Sequence, residues 1–219
     1  MKKLPLVVLL TSIVSVANAG MIDNFTLPNT YSGISDLGGN NTPTAIPVQN
    51  TGFSDWTRSG SLLATGRGSQ SIQELTTGTM ELPKSYLQLS ESANSRGTRV
   101  LEWDSTTGTV VDVAKDVLEI DFKNVDQSFD LALDLNGSGT IEHFAINAGD
   151  TNFVVKLSDW LTIGDPLNNV WSQITSVNSG VDLQITSVST HVPEPDVMLL
   201  LFAAGLLGFG YSLKKKSIN

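Results

Sequence analysis

The feature that most constrains this chain is a strict period-two alternation near its middle. Leu118, Ile120 and Phe122 alternate with Glu119, Asp121 and Lys123; after residues 124–127, Phe129, Leu131, Leu133 and Leu135 alternate with Asp130, Ala132 and Asp134. Successive side chains of a strand point to opposite faces, so each run gathers its apolar set on one side. The pattern predicts a hairpin with an apolar inner face and an acidic outer one. A four-residue loop at 124–127 sets Asp121 opposite Asp130, a like-charge pair that a sheet avoids. A bound cation relieves that repulsion, as does Lys123 reaching diagonally across the same face.

The rest of the body repeats the theme in shorter runs. Residues 86–90 and 98–103 alternate like half-buried strands, and residues 141–146, 153–157 and 181–188 supply more. No stretch of the body keeps a 3.6-residue apolar period for twelve residues. Residues 20–60 are rich in Asn, Gly, Pro and Thr and read as a strand near 22–26 followed by a long loop, punctuated by Gly38-Gly39-Asn40-Asn41-Thr42-Pro43. Many short strands without intervening helices predict an all-β fold, an antiparallel β-sandwich that is jelly-roll-like. The Ile22-Asp23-Asn24-Phe25 opening and the strand from Gly97 to Trp103 loosely resemble exported jelly-roll domains that bind carbohydrate, which favours a jelly roll over an immunoglobulin-like sandwich.

The two ends follow different rules. Lys2 and Lys3 precede a thirteen-residue apolar-weighted stretch, 4–16, and then Ala17-Asn18-Ala19. Charged, apolar and small-residue parts in that order make a signal peptide with cleavage expected after Ala19. Thirteen residues fall short of the ~20 that span a bilayer. At the other end, Val192-Pro193-Glu194-Pro195 precedes an uncharged stretch, 197–213, and then Lys214, Lys215 and Lys216. Seventeen residues form a helix of roughly 26 Å, enough for a thin bilayer. The lysines hold their end in the cytoplasm, which places the body on the far side, in agreement with the signal. Gly205, Gly208 and Gly210 allow close approach of another helix.

The Pro-Glu-Pro tripeptide, the glycine-bearing apolar span and the basic terminus together resemble the PEP-CTERM sorting signal of Gram-negative, exopolysaccharide-producing bacteria. That family usually ends in arginines; lysines here preserve the charge. The resemblance covers residues 192–219 and implies that exosortase, a membrane processing enzyme, recognises the tripeptide and processes the chain nearby. It implies a route, and leaves the chemistry of the body to the body's own residues. The expected organisation is a signal peptide (1–19) removed by signal peptidase, a β-sandwich domain (20–192), and a sorting signal (193–219) whose transmembrane helix anchors the precursor in the inner membrane before release to the cell surface or extracellular matrix.

Residues 20–192 carry eight basic residues against twenty acids, a formal charge near −12. Such a domain repels nucleic-acid phosphates and disfavours acidic polysaccharide unless a divalent cation bridges the two. Cysteine is absent, which removes thiol nucleophiles and Cys-ligated metals and leaves stability to the core or to bound ions, although an oxidising compartment would permit disulfides.

Two segments are candidates for a bound ligand. Asp134-Leu135-Asn136-Gly137-Ser138-Gly139-Thr140-Ile141 places oxygen donors at positions one, three and five of an EF-hand-like loop, with glycine at six. Position twelve is Ala145, where that loop needs a bidentate carboxylate. Asp134, Asn136 and Ser138 are therefore candidate calcium ligands, with a glycine-rich hairpin turn as the alternative; Asp121 and Asp130 of the expected hairpin join the calcium candidates. No other cofactor is indicated. Four tryptophans, Trp56, Trp103, Trp160 and Trp171, exceed what packing alone needs, and aromatic rings stack on sugar faces. Trp56 beside Asp55 and Arg58 lies in a polar, loop-like setting and reads as a carbohydrate platform. Trp103 reads as core, and Trp160 and Trp171 as caps of the sandwich edge.

Catalysis finds little support. His143 sits on a strand and His191 just before Pro193, so neither a Ser-His-Asp triad nor a histidine metal cluster is indicated, and Glu102 with Asp104 is the sort of carboxylate pair that any acidic sequence offers. The expectation is a non-enzymatic, exosortase-sorted surface or matrix protein associated with exopolysaccharide. A carbohydrate-binding module is the alternative, and a polysaccharide lyase or hydrolase on the same fold comes third.

Overall fold

The computed structural model describes residues 20–25, 34–37, 42–66, 68–77 and 84–192. Thirteen strands run through them: β1 (Gly20–Asp23), β2 (Ile34–Asp36), β3 (Thr44–Asn50), β4 (Thr57–Gly66), β5 (Gln70–Thr77), β6 (Lys84–Glu91), β7 (Ser95–Thr109), β8 (Val117–Lys123), β9 (Phe129–Leu135), β10 (Glu142–Ile146), β11 (Asn152–Lys156), β12 (Leu167–Ser176) and β13 (Leu183–His191). A single 3-10 turn, Leu157–Asp159, follows β11. No helix among the described residues is long and apolar enough to cross a membrane. The expected signal and transmembrane helices lie outside the described residues.

All pairings are antiparallel and form two sheets. The first runs β11-β8-β13-β6-β5-β2, with β1 also paired to β13; the second runs β10-β9-β12-β7-β4-β3. Their apolar faces meet in one core that includes Leu87, Leu89, Leu118, Ile120 and Phe122 from the first sheet and Leu101, Trp103, Leu131, Leu133 and Val170 from the second, all buried. Each fully buried side chain of this size contributes about 1.5–3 kcal/mol of transfer free energy.

The central expectation needs a correction. Residues 118–123 and 129–135 are strands with the predicted faces, yet they do not form a hairpin. β8 pairs with β11 and β13, while β9 pairs with β10 and β12 in the opposite sheet. Residues 124–128 carry the chain across the sandwich, with Asn124 at φ 54° turning it. Phe122 and Phe129 then meet edge to face from opposite layers, centroids 5.8 Å apart. Period two dictates which side chains point inward, and both partners of a sandwich satisfy that equally well. Asp121 lies opposite Asn152 and Ser187, and Asp130 opposite Ala145 and Thr175, so the like-charge pair does not exist.

The long loop expected before residue 60 also holds structure, for β2 and β3 lie within it. β12 is a further strand that the apolar pattern hid: of its inward residues Val170, Ser172, Ile174 and Ser176, two are serines. Ser172 is satisfied by donating to the Leu101 carbonyl at 3.3 Å.

Two cations are buried between the sheets. Arg58 on β4 faces Asp23 of β1, and Trp103 Nε1 donates to the same Asp23 Oδ2 at 3.0 Å. Phe25 N donates to Asp23 Oδ1 at 2.9 Å, and the Arg58 guanidinium lies 4.8 Å from the centroid of the Phe25 ring. Burial pushes the Asp23 carboxyl above its usual range, opposed by the Arg58 charge and by hydrogen bonds from Trp103, Phe25 and Arg58. About 13 Å further along β7, fully buried Arg99 donates to the Val181 carbonyl at 3.0 Å. Glu91, Asp182 and Asp126 supply its countercharge.

Candidate functional site

The expected sugar platform is not one. Trp56 is 1% exposed and Arg58 2%. Trp56 Nε1 donates to Thr109 Oγ1 at 3.0 Å, and Arg58 is committed to Asp23 and, at 3.3 Å, to Gln49. Asp55 binds the protein itself: it accepts from the hydroxyls of Ser105, Thr106 and Thr107 and from Thr107 N at 2.9 Å. Those bonds, led by Ser105 and Thr106, hold its carboxyl well below the usual range. A polar neighbourhood in sequence here marks a clamp between the loop before β4 and the end of β7, with the indole turned into the core.

Trp171 is the aromatic that the fold does present. It lies on β12 between buried Val170 and Ser172, so period two turns its ring outward and leaves it partly exposed. β12 is flanked on both sides by β9 and β7, which corrects the expectation that Trp171 caps an edge. In register with Trp171 stand Asp134 on one side and Glu102 on the other. Asn169, two residues before it on the same face, donates to Glu102 Oε1 at 3.1 Å and Asp104 Oδ1 at 2.6 Å. Gln173, two residues after it, donates to Thr175 Oγ1 at 3.1 Å. The outer face of the second sheet therefore carries an aromatic plane bordered by carboxylates and amides, the combination that packs on a sugar ring and takes its hydroxyls.

Trp103 is core, fully buried, as expected. Trp160 stands at the β10–β11 side, 6.4 Å from Phe144 between ring centroids, and its Nε1 donates to the Thr140 carbonyl at 3.2 Å.

The Asp134 segment is a closed turn. Asp134 accepts from Ser138 N at 3.0 Å, Ser138 Oγ at 2.7 Å and Gly139 N at 3.2 Å. The Asn136 side chain points the other way: its Oδ1 accepts from Asn168 N and Asn169 N, and its Nδ2 donates to the Pro166 carbonyl at 2.8 Å. Asp134, Asn136 and Ser138 thus serve as one another's or the backbone's partners. Asp121 accepts from Ser187 at 2.5 Å in the first sheet, and Asp130 meets His143 at 2.7 Å in the second. These five calcium candidates do not converge, and among the described residues no three His, Asp or Glu side chains could hold a metal ion.

His143 and His191 stand on different sheets, the latter 3.4 Å from Glu119. The sorting residues Pro193, Glu194, Pro195, Lys214, Lys215 and Lys216 and the cleavage residues Ala17 and Ala19 lie outside the described residues.

Several solved structures are similar to this chain at a distance. An arabinose-bound α-L-arabinofuranosidase matches 71% of this chain and 27% of its own, with 17% identity and a TM-score of 0.38. An exo-β-agarase matches 57% and 23%, with 13% identity and a TM-score of 0.36. This chain thus spans roughly a quarter of the length of those two. A family 11 carbohydrate-binding module from Clostridium thermocellum, in complex with a β-1,3-1,4-mixed-linked tetrasaccharide, matches 69% and 97%, with 9% identity and a TM-score of 0.39. No curated protein matches the chain. Residues 191–216 match the PEP-CTERM protein-sorting motif, so this is an exported β-sandwich protein that carries an exosortase sorting signal at its C-terminal end.

Proposed function

We propose that the mature domain is a non-enzymatic surface or matrix protein that associates with exopolysaccharide through the outer face of its second sheet, centred on Trp171. The single observation that carries this reading is Trp171 itself, partly exposed on an inner strand of the sheet, with Asp134 and Glu102 in register beside it. A solvent-facing indole at the middle of a sheet adds little to the core, and stacking on a sugar face is the use its surroundings favour.

In this reading signal peptidase frees the domain at Ala19, exosortase acts at Pro193-Glu194-Pro195 while the apolar span and Lys214–Lys216 hold the precursor in the inner membrane, and the product reaches the surface or matrix. The repeated passage of consecutive strands between sheets, β4 to β5, β6 to β7, β7 to β8 and β8 to β9, favours the jelly-roll form of the sandwich. The Asp134 turn closes by its own hydrogen bonds and works without calcium. The carboxylates around Trp171 favour a neutral polysaccharide over a uronic-acid one.

Co-sedimentation of the purified mature protein with the producing strain's exopolysaccharide tests the reading. Binding by the wild type, weakened at least about tenfold by Trp171→Ala, equivalent to ~1.4 kcal/mol, is the expected result. Equal binding by a correctly folded Trp171→Ala variant rejects the site.

A further inference from the structure

The end of the sandwich where β13 stops carries exposed apolar side chains on several loops. β13 ends at His191, and Thr190 pairs with Gly20. Gly20 packs on Thr109, whose Cγ2 would lie 2.6 Å from a Cβ placed there. Val110 comes next in the chain and is 92% exposed. Across the sheet Leu167 pairs with Thr109. The turn just before it, closed by Asp165 N donating to the Thr162 carbonyl at 3.0 Å, lifts Ile163 to 83% exposure. The Asn136 turn is tied to the same place through the Pro166 carbonyl, at 2.8 Å. Beyond that turn Ile141 is 53% exposed, next to Thr140, whose carbonyl accepts the Trp160 indole N–H. Val110, Ile163, Ile141 and the half-buried Trp160 thus ring one end, joined by contacts between their loops.

We propose that this end seats on the phospholipid surface while the tail holds the precursor in the membrane, with Val110 and Ile163 entering the headgroup boundary and Ile141 and Trp160 beside them. The inference rests on the sorting-signal reading, for which residues 191–216 match the family motif. Seated this way, the domain keeps the Trp171 face of its second sheet clear of the bilayer.

The length of the connecting chain decides the occupant. Val192 ends the described residues and the uncharged stretch begins at 197; five residue steps reach at most about 18 Å. This end therefore stays within that distance of the bilayer for as long as the apolar span lies in it. A tether so short makes the contact intramolecular, so a few side chains suffice where a free protein needs a larger surface. Exposed apolar residues scattered singly are ordinary. Here they gather at the end that the tether holds against lipid, and side chains of their size make a shallow interfacial anchor, about 5 Å deep.

Charge selects the lipid. Lys115 is paired with Asp112 at 2.8 Å, and Glu142, Asp159 and Asp165 are exposed at this end against Lys156. The rim is acidic on balance. Ammonium-bearing zwitterionic headgroups, such as phosphatidylethanolamine, pair with those carboxylates, and an anionic surface repels them.

The chain has no cysteine, so Val110→Cys, Ile163→Cys and Leu37→Cys variants can each carry one environment-sensitive fluorophore. Leu37 is the control: 77% exposed, it follows Asp36, which accepts from Ala64 N at the opposite end, roughly 30 Å along the strands. Full-length protein is reconstituted in vesicles of phosphatidylethanolamine and phosphatidylcholine with brominated acyl chains. The expected result is quenching at least about threefold stronger at 110 and 163 than at 37; equal quenching at all three positions overturns the proposal. With Val110→Asp and Ile163→Asp together, a label at Ile141→Cys should lose most of its quenching, and unchanged quenching there also overturns it. Exchanging part of the phosphatidylethanolamine for phosphatidylglycerol should weaken quenching at 110 and 163; unchanged or stronger quenching overturns the choice of lipid. Protein that washes off the vesicles at alkaline pH rejects the tail as an anchor, and the seat with it.

Discussion

Trp103 on β7 donates its indole N–H to Asp23 of β1 at 3.0 Å, across eighty residues of sequence, and Arg58 of β4 bonds to the same carboxylate oxygen. One buried carboxylate therefore joins the N-terminal strand to the second sheet. Removing it takes a carboxylate away from a buried guanidinium, so Asp23→Ala should lower stability by about 3–5 kcal/mol. Trp103→Phe, which keeps the ring and loses one donor, should cost about 1–2 kcal/mol. Urea unfolding midpoints followed by tryptophan fluorescence check both values. Similar, small losses for the two variants would deny the carboxylate its place at the centre of the network.

Asp55 makes stability depend on acid. Its carboxyl is held below the usual value of 3.8 by the hydroxyls of Ser105, Thr106 and Thr107. A lowered folded-state pKa means that the contribution is fully present above the unfolded-state value and disappears as pH falls through it toward the folded-state value. The melting temperature of the wild type should therefore exceed that of Asp55→Asn at pH 6, and the gap should close progressively below about pH 4. A gap that stays constant from pH 6 to pH 3 contradicts the clamp.

Calcium removal should leave the fold unchanged. Asp134 is occupied by Ser138 and Gly139, Asn136 bonds in the opposite direction, and Asp121 and Asp130 lie on separate sheets. Thermal melts of the mature protein with and without a chelator should coincide. A drop on chelation would show that an ion is held after all.

Replacement of Pro193, Glu194 and Pro195 by alanines should leave full-length protein in the inner membrane. Fractionation and intact mass read the outcome directly. Release of shortened protein at the normal rate would remove the tripeptide from the sorting step.

Much of the fold is legible in the sequence because inward and outward positions follow period two: Leu118, Ile120, Phe122, Leu131 and Leu133 are all buried as the alternation requires. The choice of sheet is not legible, since β8 and β9 offer the same pattern whether they lie side by side or face to face. β12 leaves a weak apolar signal because Ser172 and Ser176 occupy inward places, and it is the strand that carries Trp171. The position of the site is hidden for a related reason. Polar neighbours around Trp56 look like a surface loop, but Asp55 and Arg58 are spent on partners some thirty-five to fifty residues away, and such long-range pairing leaves no local mark.

The most direct test of the whole account is the partition of the mature protein between extracellular matrix and culture medium in cells that make either the wild type or Trp171→Ala. The account predicts identical processed masses for the two, with the wild type retained in the matrix and the variant shed into the medium. Retention of the variant at the wild-type level would contradict it.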